Sequence, residues 1–248
     1  MDELALTHRA IALSLPGLGG TSPCPDLHPA AVASFVADFL DVLGVGSVIA
    51  VGHSFGGLVV AELALRKPHV VTRLTLVDAP GLGRAAHPVA IALALLPERA
   101  ADLASALVSL PGGAAALTLS SNLLLRRPWR IPVNTWAAQL RLARSRQALR
   151  TSLKVFRECG GITGQRETTT VIDRLHEIHV PTLVIRGGLD QIFPVWQGWA
   201  AARRLPDGRF TVPAGFGHLS YLDNHEEFMD ALGSFVRDDL ELTSPTRG

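Results

Sequence analysis

A chain of 248 residues, 48% of them hydrophobic, is long enough for one large α/β domain or two small ones and can bury a sizeable core. Its formal net charge of +1 argues against nucleic acid or a membrane surface as a global partner. The two cysteines, Cys24 and Cys159, stand far apart in loop-like sequence, which excludes a disulfide framework and reads as free thiols in a reducing, cytoplasmic setting.

The N-terminal run MDELALTHRAIALSLPG is acidic where a secretory signal would be basic, and its apolar stretch breaks at Pro16. Within it, Arg9–Ser14 reads as a first strand. Residues 29–44 follow as a helix, with Val32, Phe35, Val36, Phe39, Leu40 and Leu43 on one face and Gly44 as its stop. Ser47–Gly52 is a second strand. A helix then runs to about Arg66, ended by Pro68. Val71–Asp78 is a third strand. Residues 81–170 break the alternation. They are rich in Leu, Ala and Arg at helical spacing, with interruptions at Pro97, Pro111, Pro128 and Pro132. The strand pattern resumes at Thr182–Arg186 and Arg209–Val212, with helices expected at Val195–Arg204 and Glu226–Arg237. No internal repeat is evident and no apolar run is long enough to span a bilayer. The expected fold is therefore α/β: a mostly parallel sheet with flanking helices, formed by residues 1–80 and 171–248, and a helical lid over 81–170.

Gly52-His53-Ser54-Phe55-Gly56 fits G-x-S-x-G between a strand and a helix. Such a corner strains the serine and projects its hydroxyl. Glycines two residues before and two after are expected to allow strand and helix to approach. The Phe55 N–H can then face a developing oxyanion. A serine hydroxyl needs a base. Asp190, in GGLDQIFP, and His218, in PAGFGHLSYLD, each follow a strand, in the chain order Ser, Asp, His. His218 would take the Ser54 proton while Asp190 orients and stabilises the imidazole. Asp78, at the end of the preceding strand, is an alternative acid or a cap for the next turn. His176 and His179 lack the company a metal site needs and read as surface or packing residues. His53 reads as a residue supporting the elbow.

These pieces resemble the α/β-hydrolase family over residues 9–80 and 180–237: SLPGLGGTSP, the VGHSFGG elbow, LTLVDAP, GGLDQIFP and GHLSYLDNHEEF. The last has Asp223 where that family more often has Glu. The resemblance implies a Ser54–Asp190–His218 triad and no cofactor. Serine in place of a carboxylate nucleophile argues against the epoxide hydrolase and haloalkane dehalogenase branches. It also implies a truncation. Gly17 stands 37 residues before Ser54 with one helix between, the spacing of the segment after the family's fourth strand. A third strand would normally separate Arg9–Ser14 from Ser47–Gly52, and the loop after it would supply a second oxyanion N–H. Without it, those two strands pair directly, or another chain fills the gap, or unpaired backbone is buried. Gly17–Gly20 is the candidate substitute donor.

From Leu103 to Arg157 there is no Asp or Glu, while Arg126, Arg127, Arg130, Arg141, Arg144, Arg146, Arg150, Lys154 and Arg157 fall there. This is a solvated basic face, or an attractor for an anionic or carrier-bound substrate. Leu123, Leu124, Leu125, Trp129, Trp136 and Leu140 are candidates to line a substrate pocket. The expected function is a serine hydrolase cleaving a small-molecule carboxylic ester or related acyl bond. Rival readings are a weakly active ligand-binding relative and, within the same triad, a C–C bond hydrolase, lactonase, perhydrolase or acyltransferase.

Overall fold

A computed structural model describes residues 2–122, 125–126 and 128–243; Leu123, Leu124 and Arg127 lie outside the described residues. The chain opens with a short helix, α1 (Asp2–Ala5), and residues 6–28 carry neither helix nor strand. Helix α2 (Pro29–Val42), strand β1 (Val48–His53), helix α3 (Phe55–Arg66) and strand β2 (Val71–Val77) follow. Among the described residues, the α-helices that come next are α4 (Pro88–Ala94), α5 (Glu98–Leu107), α6 (Gly113–Ser121), α7 (Val133–Ala143) and α8 (Arg146–Cys159). A tight hairpin pairs β3 (Gly160–Gly161) with β4 (Gly164–Gln165). The alternation resumes with β5 (Thr182–Ile185), α9 (Val195–Ala202) and β6 (Gly208–Thr211), and ends with α10 (Ser220–Asp223) and α11 (His225–Thr243).

The main sheet is parallel in the order β1-β2-β5-β6. Strand alternation divides its side chains between two layers. Leu74 and Leu76 of β2 join the core formed with Val32, Val36 and Leu40 of α2, Leu58 and Leu63 of α3, and Ala201 and Ala202 of α9. Val77 points the other way, with Leu183, Ile185 and the Phe228, Leu232 and Phe235 stripe of α11. Helix α2 starts where Pro29 takes the first helical position and His28 Nδ1 accepts from the Ala30 N–H at 3.3 Å. It stops at Gly44, whose φ of 63° suits glycine. The inserted helices pack largely on one another, α4 and α5 on α8 and α6 on α7. Among the described residues, no helix is long and apolar enough to cross a membrane.

The expected strand at Arg9–Ser14 is not formed. Strand pairing needs a neighbour about 4.8 Å away. Instead, residues 8–15 and β1 face each other across a cavity of about 1430 Å³. Of the three arrangements open to these two segments, direct pairing is not the one found: β1 is an edge strand of the described sheet. The N–H groups of Val48 and Ser54 reach β2 (2.8 Å each, to Val70 and Val77), so those of Ile49, Val51 and His53 point to the open side. Val51 is 41% exposed there.

Candidate active site

The end of β1 turns directly into α3, and Ser54 occupies the corner with φ 50° and ψ −126°. A non-glycine residue in this region costs about 1–3 kcal/mol and persists only where its surroundings hold it. Here the Ser54 N–H donates to Val77 O at 2.8 Å, and Ser54 O accepts from Gly57 and Leu58. The close approach of strand and helix rests on Gly52 and Gly57. A Cβ on Gly52 would lie 2.3 Å from Gly56 O, and one on Gly57 would lie 2.6 Å from Ala79 Cβ. Gly56, expected to share this role, has open space around its Cβ position. The expectation is corrected: position 57 carries the constraint because it faces Ala79 after β2.

Ser54 Oγ lies 3.0 Å from His218 Nε2, and His218 Nδ1 lies 3.1 Å from Asp190 Oδ2. The three side chains come from the C-terminal ends of β1, β5 and β6, where a parallel sheet gathers its loops. Asp190 is fully buried and well served. Its Oδ1 accepts the N–H groups of Ile192 (2.7 Å) and Phe193 (3.2 Å), and Arg186 Nη1 stands 3.5 Å from Oδ2. Burial alone would raise its pKa. The hydrogen bond and charge of His218, the Arg186 guanidinium and the Ile192 N–H outweigh burial and hold the carboxyl below its ordinary value. An anionic Asp190 accepts the Nδ1 proton, leaving Nε2 free to accept from the Ser54 hydroxyl. Phe55 is the first residue of α3, so its N–H belongs to the first turn, which lacks acceptors within the helix.

Asp78 is buried and has φ 47°. Its carboxylate accepts from the Gly187 N–H at 2.8 Å and from the Ser220 hydroxyl, with the Ser220 N–H at 3.4 Å. It thus ties together the loops carrying Asp190 and His218, and among the described residues the carboxylate within hydrogen-bond reach of the His218 ring is that of Asp190. Burial, helped by the Asp190 charge and opposed by His218, Arg186 and the Ser220 hydrogen bond, pushes the Asp78 pKa up to about 6.

His53 Nε2 lies 2.7 Å from His218 O. A carbonyl only accepts, so Nε2 carries the proton. Burial, with the nearby His218 and Arg186, pushes the His53 pKa down to about 3, so the ring stays neutral and pins the backbone of His218. Arg186 escaped the sequence reading. Only 1% exposed, it donates from Nη2 to Ala79 O at 2.7 Å and faces Asp190 from Nη1. Its one signal in the sequence was an arginine ending an otherwise apolar strand.

The cavity beside Ser54 is walled on the side of the inserted helices by Ala90, Ile91, Leu142, Val155 and Phe156. Trp129 is 77% exposed, and Trp129, Trp136 and Leu140 are not among the lining residues. The helical faces that carry them are taken up by packing among the inserted helices or turn to solvent, so their expected place in the pocket is corrected. His176 and His179 are exposed, and among the described residues no cluster of three His, Cys, Asp or Glu could hold a metal ion. In the loop at residues 15–22, the Gly17 N–H donates to Ser22 O (3.1 Å) and the Leu18 N–H to Leu15 O (2.9 Å), so both amides are engaged within their own turn.

A model of the alpha/beta hydrolase fold family matches residues 1–225. The chain is 30% identical over 241 residues to the dihydrolipoyllysine-residue acetyltransferase component of the acetoin cleaving system of Cupriavidus necator, covering 92% of this chain and 56% of that protein. It is 26% identical over 234 residues to a mouse sn-1-specific diacylglycerol lipase, covering 88% and 68%. The thermophilic esterase of Thermogutta terrifontis superposes with a TM-score of 0.68 at 22% identity, over 90% of this chain and 78% of that one. The chain thus spans little more than half the length of the first of these relatives. A match running through nearly the whole chain, on a fold with the serine at the strand–helix corner, makes this protein a member of the α/β-hydrolase family.

Proposed function

We propose that this protein is a serine hydrolase that cleaves a carboxylic ester or related acyl bond through an acyl-enzyme. The observation that carries the reading is the unbroken chain of contacts from Ser54 Oγ to His218 Nε2 (3.0 Å) and from His218 Nδ1 to Asp190 (3.1 Å). Ser54 Oγ attacks the carbonyl carbon while its proton passes to His218 Nε2. The oxyanion turns toward the Phe55 N–H. Nε2 then protonates the leaving oxygen as the tetrahedral carbon collapses to the acyl-enzyme. Water attacks next, giving its proton to Nε2, and Ser54 leaves with that proton as the acid is released. Throughout, Asp190 stabilises the imidazolium.

Residues 81–170 act in this reading as a lid. Their contribution to the cavity wall is mostly apolar, with Ser152 and Gln165 as polar members, which suits an apolar acyl or aromatic group. The basic stretch is partly neutralised by α5, Arg150 pairing with Asp102 at 2.8 Å and Arg157 with Glu98 at 3.5 Å. Arg141 and Arg144 stay exposed, available to an anionic or carrier-bound substrate.

One observation favours a second reading, a ligand-binding relative with weak turnover. Phe55 is the assigned oxyanion donor, and the Gly17 and Leu18 amides are engaged elsewhere. Loss of one donor typically costs about 10²–10³ in turnover. A fluorophosphonate probe with an ester panel separates the two. Labelling that disappears in Ser54→Ala, with ester turnover lost in parallel, supports the hydrolase. A folded protein that takes no label rejects it.

A further inference from the structure

Arg126, in the inserted segment, reaches both of the loops that carry Asp190 and His218; the segment also meets the Asp190 loop where the His87 N–H donates to Ile192 O at 3.0 Å and Ala90 and Phe156 pack with Ile192 and Phe193. The Arg126 N–H donates to Asp223 Oδ1 at 2.7 Å. The other oxygen of that carboxylate, Oδ2, accepts the N–H of Gly217 at 2.6 Å, and Gly217 immediately precedes His218. The Arg126 guanidinium reaches the opposite loop, donating from Nη2 to Leu189 O at 3.2 Å, and Leu189 immediately precedes Asp190. Leu125, beside Arg126, is buried, and the turn at Pro128–Arg130 packs on α10, which carries Asp223. Asp223 itself is fully buried. A buried carboxylate shared between two N–H groups holds both firmly, because neither has another acceptor as good.

We infer that Asp223 and Arg126 are positioning residues that couple the seating of the inserted helices to the alignment of the triad. When residues 125–126 are seated, both loops are held from the same point, and His218 and Asp190 keep their 3.1 Å contact. When the segment lifts, Gly217 loses part of its anchoring and Leu189 O loses a donor, so the two triad members relax apart. Reactivity is then highest with the insertion closed on its substrate and lowest when it is open. The inference rests on the serine-hydrolase reading for its kinetic half and stands independently of it for its structural half.

Arg126→Ala, Arg126→Lys and Asp223→Asn test it. Arg126 has an exposed side chain, so its replacement leaves folding intact. An asparagine at 223 keeps one acceptor oxygen and leaves one of the two N–H groups facing an amide donor. Hydrogen exchange gives the structural readout. Arg126→Ala keeps the main-chain N–H on Asp223 and loses the bond to Leu189 O, so it is expected to speed exchange in the loop at 186–193 several-fold; Arg126→Lys, which can still donate to Leu189 O, is expected to restore protection, and Asp223→Asn is expected to speed exchange in the loop at 213–223. Kinetically, Asp223→Asn is expected to lower kcat roughly tenfold to a hundredfold, the scale of a small misplacement of catalytic groups, with KM nearly unchanged. Arg126→Ala in the Asp223→Asn background is expected to add less than it does alone. Unchanged exchange in both loops overturns the coupling, and so does an effect confined to KM. If the wild-type protein takes no fluorophosphonate label, the hydrolase reading fails while exchange still decides the coupling.

Discussion

Asp78→Asn isolates the energetics of a buried acid that stands outside hydrogen-bond reach of the His218 ring. The unfolded chain releases this proton near 3.8, whereas burial in the folded protein raises the pKa to about 6. Below the lower value both states are protonated and the group contributes nothing to the pH dependence. As pH rises between the two values, the unfolded state ionises while the folded state keeps its proton. Folding stability therefore falls, by about 1.4 kcal/mol per pH unit and about 3 kcal/mol in all. Asparagine cannot ionise. Its Oδ1 can still accept from Gly187, and its amide can donate to Ser220 Oγ, which can turn its own proton to Gly217 O at 3.4 Å. The stability of the variant relative to wild type should thus rise by about 3 kcal/mol between about pH 4 and pH 7, whatever constant offset the amide introduces. Urea unfolding followed by circular dichroism at a series of pH values measures this difference, in which the titrations of groups remote from Asp78 cancel. Parallel stability curves for the two proteins would refute the reasoning. The same variant bears on the choice of acid. Asp190→Asn, which disturbs the tautomer of His218, is expected to lower kcat by about 10⁴, while Asp78→Asn loses far less. Equal losses would move the catalytic role to Asp78.

Two further outcomes are expected. Gly52→Ala drives a Cβ into the backbone of Gly56 and Gly57 at 2.3–2.6 Å and should destabilise the fold by about 3 kcal/mol or more. Gly56→Ala, with open space in the first turn of α3, should be neutral or stabilising by up to about 1 kcal/mol; denaturant midpoints that rank the two variants the other way would contradict the assignment of the close contact. Val51→Lys places a charge on the open edge of β1 and is expected to shift sedimentation at high protein concentration toward the monomer. An unchanged distribution would show that this edge does not mediate association.

Local pattern was enough to read β1, α3, β2, β5 and β6 within a residue or two: β1, β2 and β5 are largely apolar runs closed by turns, α3 follows the corner at Ser54, and β6 pairs with β5 although its own residues are exposed or half-buried. The order Ser54, Asp190, His218 was legible for a related reason. Loops at the C-terminal ends of parallel strands converge, so three polar residues at such ends are brought near one another by the topology itself. Other features depend on partners that no local pattern contains. RAIALS has a strand's composition but stays irregular, since a strand exists only with a neighbour to bond, and the space beside β1 is a cavity. Gly56 and Gly57 look alike in sequence, and the position of Ala79 decides which of them matters. Trp129 and Trp136 are apolar enough for a pocket wall, yet the packing of α7 on α6 and α8 leaves the wall to Leu142, Val155 and Phe156. The sequence by itself determined the fold family and the strand–turn–helix corner at Ser54, and it named Asp190 and His218 as that serine's candidate partners, all from residue type and spacing. Only the tertiary structure decided which acid faces His218, how Arg186 and Asp78 sustain that choice, and that Arg126 reaches the loops carrying both, because those contacts join segments 28 to 142 residues apart in the chain.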